Sequence, residues 1–180
     1  MNINQLSLST ELALLGFVLE GPRHGYAIYQ ELTEPNGLWL VWRMKQSQLY
    51  ALLSRLEANG FLASFKGEAE AGRPPRKMYQ LTSSGKQAFH QWLIAPTNRG
   101  RQFRLDLLIK LFFAQREGQA VLEKLLDAQR NACLSWLQDA QAHELGEAEP
   151  YRRLVHRYRA GQIRAMLAWL DACQDEIIPA

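Results

Sequence analysis

The spacing of the apolar residues changes once in the first half of the chain, and this change constrains the fold more than any other feature. Before Asn59 the apolar residues recur every three or four positions in successive segments, which is typical of helices with one buried face. Between residues 61 and 81 they fall instead into two short runs rich in β-forming residues. After Thr82 the helical spacing returns. The predicted order is three helices, a β-hairpin and a fourth helix.

Capping and breaking residues give the approximate ends of the first three helices. We expect them at 10–20, at 24–33 and from Gln46 or Ser47 to Asn59. Gly21 and Pro22 end the first, and Gly60 supplies the C-cap signal of the third. The apolar segment 38–42 is too short for an independent element, so we expect it to pack on the core as a connector.

The β-hairpin is expected from strands at 61–66 and 77–81, with Phe61, Ala63 and Phe65 on one face of the first strand. The turn-rich segment 67–76 connects them. A fourth helix then runs from the Thr82 cap to Pro96. This order of elements is that of a winged helix-turn-helix. We therefore predict a mainly α fold with a small β-hairpin wing, in which residues 1–96 form the winged helix-turn-helix domain.

Residues 97–180 are expected to form a second, helical domain that dimerises. Helices are predicted at about 103–114, 118–143 and 151–177. The middle helix carries a seam with alternating spacings of four and three, as in a coiled coil. The seam residues are Leu122, Leu126, Gln129, Cys133, Trp136 and Ala140. The two long helices have more apolar face than one short helix covers, so a second copy of the chain is the expected partner.

The positive charge is concentrated in one segment. Between Arg43 and Lys86 there are eight Lys and Arg against three Glu, a net charge of +5, whereas the whole chain carries +3. A surface that faces phosphates needs such a concentration. Chance clustering on a solvated face is the alternative.

The third predicted helix has an unusual polar face. If its leucines point inward, the opposite face carries small residues where Lys and Glu are ordinarily found. A small-residue stripe lets a helix press into the major groove of DNA, although small residues also serve as simple fillers. The stripe comprises Ser47, Ala51, Ser54 and Ala58, with Tyr50 and Arg55 beside it. Ser47 and Gln48 lie at the helix start, where Gln48 either reads adenine or caps the helix.

The basic residues near the hairpin extend this candidate surface. We expect them to contact the DNA backbone or the minor groove, a plain surface hairpin being the alternative. These residues are Lys66, Arg73, Arg76 and Lys77. Lys45, just before the third helix, is a further DNA-binding candidate.

Other classes of function lack sequence support. The four histidines are scattered, and we find no Gly-rich phosphate loop, nucleophile elbow or paired carboxylates, so no enzyme, catalytic residue or cofactor is expected. His143 with Glu144 and Glu147 suggests a solvated helix end rather than a metal site. Cys133 and Cys173 occupy apolar positions and are expected to be buried free thiols. Without a signal peptide or a membrane-length apolar run, we expect a cytoplasmic protein.

Four strings resemble the PadR family of transcriptional regulators, and the last also resembles the entry to the helical domain of its virulence-activator branch. The strings are LLGFVLEGPRHGYAIYQEL (14–32), SQLYALLSRLEANGFL (47–62), GRPPRKMYQLTSSG (72–85) and LLIKLFFA (107–114). The resemblance implies a homodimer that usually represses transcription and places its third helix in the major groove. Carried over by position, it makes DNA-facing candidates of Tyr26, Ser47, Gln48, Tyr50, Arg76 and Lys77.

Two positions depart from the family pattern. Ala51 stands where the family commonly has proline, which puts the exact helix start and base contacts in doubt. The acidic residues Glu68 and Glu70 argue against deep insertion of the wing tip into the minor groove.

The resemblance also implies release of DNA by a small aromatic or lipophilic effector. Aromatic walls for such a ligand are available from Trp92, Trp136, Tyr158 and Trp169, unless these residues form core and dimer interface. An alternative function for the whole chain is a protein-interaction adaptor built on a winged-helix scaffold, since fold alone does not fix function.

Overall fold

The computed structural model describes residues 10–68 and 75–177. The chain divides into two compact units, the first comprising 1–93 with 108–113 and the second 94–107 with 114–180. Both are built largely of helices, and the first also holds a small antiparallel sheet. This confirms the predicted fold class, a mainly α winged helix protein. The domain boundary drawn between residues 96 and 97 stays a prediction.

The first unit follows the predicted order of elements, with one additional strand. Its elements are a 3-10 helix (Ala13–Val18), β1 (Arg23–His24), α1 (Gly25–Leu32), a 3-10 turn (Leu38–Leu40), α2 (Gln46–Ala58), β2 (Leu62–Lys66), β3 (Lys77–Leu81) and α3 (Ser83–Ile94). The strand order is β1-β3-β2, with Arg23 opposite Tyr79 and Leu62 opposite Leu81. The sequence did not predict β1, because two residues are too few to show alternation.

The inward face of β2 is set by Leu62, which is 2% exposed. The expected face of Phe61, Ala63 and Phe65 is the opposite one, and Phe65 is 45% exposed. The alternating pattern predicted which residues share a face of β2. It did not predict which of the two faces packs on the core, because a shift of one residue exchanges the faces.

The ends of α1, α2 and α3 have specific caps. His24 Nδ1 accepts a hydrogen bond from the Ala27 backbone N–H at 2.9 Å, and Thr82 Oγ1 accepts one from the Gly85 N–H at 3.0 Å. At the end of α2, Gly60 adopts a φ of 75°. A positive φ is readily available only to glycine, so the predicted C-cap is confirmed.

An aromatic cluster fills the core of the first unit. Phe113 packs edge to face on Phe17 at 5.3 Å and on Phe89 at 5.6 Å between ring centroids. Gly16 makes room for it, since a Cβ there would lie 2.5 Å from the Phe113 ring. Segment 108–113 therefore belongs to this core, although it lies beyond the boundary predicted between residues 96 and 97.

The second unit contains two long antiparallel helices. Its elements are a 3-10 turn (Gly100–Gln102), a π-helical segment (Phe103–Leu107), α5 (Gln119–Gly146) and α6 (Pro150–Ile177). Helix α4 (Leu108–Glu117) is shared, with residues 108–113 in the first unit and 114–117 in the second. Arg130 of α5 pairs with Asp171, and Glu144 pairs with Arg157 at 2.8 Å, which fixes the antiparallel register.

Gln129 interrupts the apolar seam of α5 and is fully buried. Its Oε1 accepts a hydrogen bond from the Thr97 N–H at 2.8 Å, and its Nε2 donates to Cys133 Sγ at 3.7 Å. A buried amide with these partners is tolerated in an apolar seam. Cys133 and Cys173 are buried free thiols, as predicted, and burial raises the pKa of both.

Gly161 lies in the interior of α6, and a Cβ there would meet nothing within 4 Å. We expect Gly161→Ala to raise the free energy of unfolding by about 0.5–1 kcal/mol, because alanine is the better helix former. Urea denaturation followed by circular dichroism measures the change. A lower midpoint would mean that another surface packs closely on this glycine.

Metal sites and membrane-spanning helices are both absent from the described residues. Among the residues at 10–68 and 75–177, no group of three His, Cys, Asp or Glu side chains is arranged to hold a metal ion. Within the same ranges, no helix combines the length and the apolarity that a membrane crossing requires.

Candidate nucleic-acid interface

The recognition-helix candidate α2 has the two faces that the sequence predicted. Leu49, Leu53 and Leu56 are buried in the first unit. The small-residue stripe defined by Ser47, Ala51, Ser54 and Ala58 is exposed on the opposite face. The helix therefore presents its backbone closely to solvent along this stripe. Contact of these residues with DNA stays a prediction.

The start of α2 is capped from within the helix. Lys45 occupies the N-cap position with extended backbone. The backbone N–H of Lys45 donates a hydrogen bond to Gln48 Oε1 at 2.8 Å. Two roles were considered for Gln48, recognition of adenine and capping of the helix, and the structure shows the capping hydrogen bond. Bidentate recognition of adenine uses both the oxygen and the nitrogen of the amide, so it requires this bond to break. The Lys45 ammonium has no acceptor for the backbone N–H groups in the first turn of α2. These N–H groups and the ammonium together favour an anion at the start of the helix.

Tyr50 links α2 to the start of α1. A Cβ on Gly25 would lie 2.5 Å from the Tyr50 ring, so only glycine permits this contact. Tyr50 nevertheless remains 38% exposed, and Tyr26 is 48% exposed. Both tyrosines are therefore partly exposed at the surface of the first unit.

A cleft of about 490 Å³ gathers residues from α1, α2 and the β3 arm. Four of the predicted residues line it, namely Tyr26, Tyr50, Arg76 and Lys77. His24, which the sequence did not single out, completes it by stacking on Tyr26 at 6.4 Å between ring centroids. Arg76 Nη1 lies 3.1 Å from His24 Nε2, which places the guanidinium at the cleft. In the sequence, His24 was marked only by its place beside Gly25 and Tyr26 in the string 14–32 that carries the family resemblance.

Lys77 is held by an acidic partner on α2. Its Nζ lies 2.6 Å from Glu57 Oε2 and 5.1 Å from the centroid of the Tyr79 ring. The hydrogen bond from Lys77, and a second from Ser64, lower the pKa of Glu57. The hydrogen bond to Glu57 raises the pKa of Lys77. The pair therefore stabilises the fold between the ordinary pKa values of the two groups, and this contribution is lost in strong acid and in strong base.

Arg55 also has an internal partner. It lies 2.6 Å from Glu11, whose side chain is only 2% exposed. A buried carboxylate needs such a cation, because an uncompensated buried charge is costly. Arg55 thus has a structural role that the sequence could not indicate, since Glu11 lies more than forty residues away.

Of the remaining basic residues of the wing, the structure describes Lys66 but not Arg73. Lys66 is exposed and faces Lys77 across the β2–β3 pair. Like charges directly opposite destabilise a sheet, so this concentration of positive charge suits a phosphate-facing surface better than a purely structural hairpin. Arg73 and Glu70 lie outside the described residues.

The four aromatic residues proposed for an effector do not form one site. Trp92 is 7% exposed and belongs to the first unit. Tyr158 is 65% exposed, and Trp169 packs edge to face on Phe103 at 5.7 Å. Of the four, only Trp136 lines the cavity of about 530 Å³ that lies in the second unit between α5, α6 and the turn at 99–101. Their binding role stays a prediction.

A winged helix with an exposed small-residue stripe and a basic hairpin defines the class of DNA-binding helix-turn-helix proteins. The chain matches the PadR-like transcriptional regulator family over residues 14–91 and the virulence activator alpha C-terminal model over 103–177. It is 32% identical over 142 residues to the negative transcriptional regulator PadR of Bacillus subtilis strain 168, covering 77% of this chain and 76% of the relative. The chain belongs to the PadR-like family of transcriptional regulators.

Solved structures with similar folds include two of Bacillus subtilis PadR. The complex with operator DNA has 26% identity and a TM-score of 0.47, covering 91% of this chain and 96% of that chain. The complex with p-coumaric acid has 25% identity and a TM-score of 0.43, covering 97% and 98%.

Proposed function

We propose that this chain is a homodimeric repressor that binds operator DNA and releases it when a small aromatic or lipophilic effector binds. The exposed small-residue stripe of α2, beside a basic hairpin, is the observation that carries the proposal. Membership of a family of transcriptional regulators and the name of its Bacillus subtilis relative support negative regulation. Such a protein acts in the cytoplasm and needs no catalytic residues.

In this proposal the stripe of α2 enters the major groove, and its small side chains allow a close approach. Ser47, Gln48 and Ser54 are the candidates for contact with base edges. Lys45 and the positive end of α2 face a phosphate. Lys66 and Arg76 contact the flanking backbone.

Dimerisation is supported by an apolar stripe on α6. Tyr151, Leu154 and Tyr158 are 72%, 59% and 65% exposed, and their spacing places them along one side of the helix. Exposed apolar side chains grouped in this way mark interaction sites. A second copy of the chain is the partner that symmetry in DNA-binding dimers favours.

The adaptor alternative is not favoured, because the family consists of transcriptional regulators. The DNA-binding proposal is tested with fluorescence anisotropy on the DNA upstream of the chain's own gene, against a scrambled fragment, across a salt series. If the dimer neutralises about eight phosphates, the slope of log affinity against log salt is expected near −7. Affinity that ignores salt, or equal affinity for both fragments, contradicts the proposal.

Glu57→Gln is expected to tighten DNA binding about three- to tenfold at low salt, because it removes a negative charge beside the interface and releases Lys77. The salt slope is expected to steepen by about 1.8, the value of two additional phosphate contacts, one from each protomer of the dimer. The same anisotropy titration measures both changes.

Glu34→Gln is the matched control, since it makes the same change of charge at an exposed residue beyond the end of α1. Equal gains in affinity for the two variants would mean that only net charge matters. Unchanged affinity for Glu57→Gln would place Lys77 away from the DNA.

A further inference from the structure

The cleft between α1, α2 and the β3 arm contains two nitrogen atoms that face each other, one from a histidine and one from an arginine. Strand β1 pairs with β3 so that His24 lies opposite Met78. This pairing brings His24 Nε2 to 3.1 Å from Nη1 of Arg76, which lies 52 residues further along the chain. Tyr26 stacks on the imidazole with an interplanar angle of 14°. The imidazole is therefore held with its Nε2 at the guanidinium.

The other ring nitrogen of His24 determines where the imidazole proton is. Nδ1 accepts a hydrogen bond from the Ala27 backbone N–H at 2.9 Å, because His24 is the N-cap of α1. A nitrogen that accepts a hydrogen bond has no proton, so the ring is neutral and its proton is on Nε2. The guanidinium of Arg76 can only donate. Two N–H donors therefore converge, and neither can accept a hydrogen bond from the other.

Two converging donors are satisfied by an acceptor that they share. An anionic oxygen between them would receive one hydrogen bond from the imidazole and one charge-assisted hydrogen bond from the guanidinium. The cleft suits an anion, since none of the described residues that line it is acidic. His24 is half-buried and Arg76 is exposed, so an anionic group on a large partner can reach both.

The position of the cleft indicates the DNA backbone as the source of the anion. Tyr50 of α2 lines the cleft and directly precedes Ala51 of the exposed small-residue stripe. A helix in the major groove has the phosphates of the two strands on either side of it. We propose that the cleft binds a phosphate of the DNA backbone through His24 Nε2–H and Arg76. This inference rests on the proposed function and adds His24 to its interface.

Two replacements of His24 separate its contact with DNA from its capping of α1. His24→Asn keeps a good N-cap residue but has no donor that reaches the position of Nε2. Its operator affinity in fluorescence anisotropy is expected to fall about 10- to 100-fold, because both protomers lose a hydrogen bond to a charged group. His24→Gln keeps an amide N–H near the position of Nε2 but loses the cap. It is expected to melt at a lower temperature and yet to bind at least about fivefold more tightly than His24→Asn.

A purely structural role of His24 predicts the reverse order of affinities, with His24→Gln the weaker binder, and that order overturns the proposal. His156→Asn is the matched control in the second unit, and its affinity is expected to change less than about twofold.

Salt dependence gives a second readout. Because a neutral imidazole releases no counterion, His24→Asn is expected to leave the slope of log affinity against log salt unchanged. Arg76→Met is expected to make the slope shallower by about 1.8, since each protomer loses one phosphate contact. An equal loss of slope in the two variants would mean a charged imidazole, and it overturns the donor arrangement on which the site depends.

Neutral methylphosphonates, placed one at a time along the DNA upstream of the chain's own gene, distinguish a backbone phosphate from a free anion. One position in each half-site is expected to weaken binding of the wild type but to have little further effect on His24→Asn, which has already lost the contact. Inorganic phosphate, titrated into the DNA-free chain and followed by the NMR signals of His24, is the other arm. A response to inorganic phosphate without such a methylphosphonate position assigns the cleft to a free anion and overturns the proposal.

The wild-type titration separates failure of this site from failure of the proposed function. A wild-type chain that binds no DNA contradicts the proposed function itself. Normal wild-type binding, with no loss of affinity in His24→Asn, contradicts only the phosphate site in the cleft.

Discussion

Replacing Gly85 with alanine is expected to lower the free energy of unfolding by about 3 kcal/mol or more. Gly85 is buried in the first turn of α3, and a Cβ there would lie 2.0 Å from the Phe61 carbonyl oxygen. That oxygen also accepts a hydrogen bond from the Thr82 N–H at 3.1 Å. The added methyl group would therefore clash with a backbone carbonyl that is held by a hydrogen bond and cannot rotate away as a side chain can.

The opposing effect is smaller. Alanine favours a helix over glycine by about 0.8–1 kcal/mol, so the clash decides the sign. Gly21→Ala is the matched control, because a Cβ at Gly21 would meet nothing within 4 Å, and we expect a change within about 0.5 kcal/mol. Urea denaturation of both variants measures the difference. Equal stability of the two variants would contradict the close contact between Gly85 of α3 and the Phe61 backbone.

The second large effect concerns DNA. Ala51→Glu is expected to weaken operator binding at least about 100-fold, which corresponds to about 2.7 kcal/mol. Ala51 lies in the middle of the exposed stripe of α2, so glutamate there adds both bulk and a negative charge that faces the phosphates. Like charges brought together at an interface cost several kcal/mol. The fold itself is expected to tolerate the change, since glutamate is a good helix former at an exposed position.

Ala51→Ser keeps the residue small and uncharged, and we expect its affinity to stay within about threefold of the wild-type value, because exposed small substitutions change little. Anisotropy titrations give the affinities, and thermal melts show that both variants are folded. If Ala51→Glu binds the operator as well as Ala51→Ser does, the stripe of α2 does not enter the groove.

Local patterns accounted for most of the elements. The leucines of α2 and the β-forming run 77–81 carry their own periodicity, so the helix faces and the wing could be predicted. Strand β1 could not, because its two residues acquire their role only by pairing with Met78 and Tyr79. Gly85 lies in one of the strings that carry the family resemblance, but its purpose became visible only from the distance to Phe61.

The exposed face of the candidate site could be predicted from the sequence, but the ion-pair partners of its basic residues could not. Exposure of the α2 stripe follows from helical spacing alone. The ion pairs Arg55–Glu11 and Lys77–Glu57 join residues that are distant in sequence, and no local pattern indicates them. The effector residues were chosen for their aromatic rings, yet helix packing decides which rings share a cavity. Trp136 and His143 do so because their spacing of seven residues places them on one side of α5.

Methylation interference on the fragment upstream of the chain's own gene tests the central claim most directly, because guanine N7 lies in the major groove and adenine N3 in the minor groove. If two copies of α2 enter successive major grooves, N7 methylation is expected to block binding in two clusters about 10 base pairs, or roughly 34 Å, apart. A single cluster, or interference from adenine N3 alone, would contradict a dimer that recognises its operator through α2.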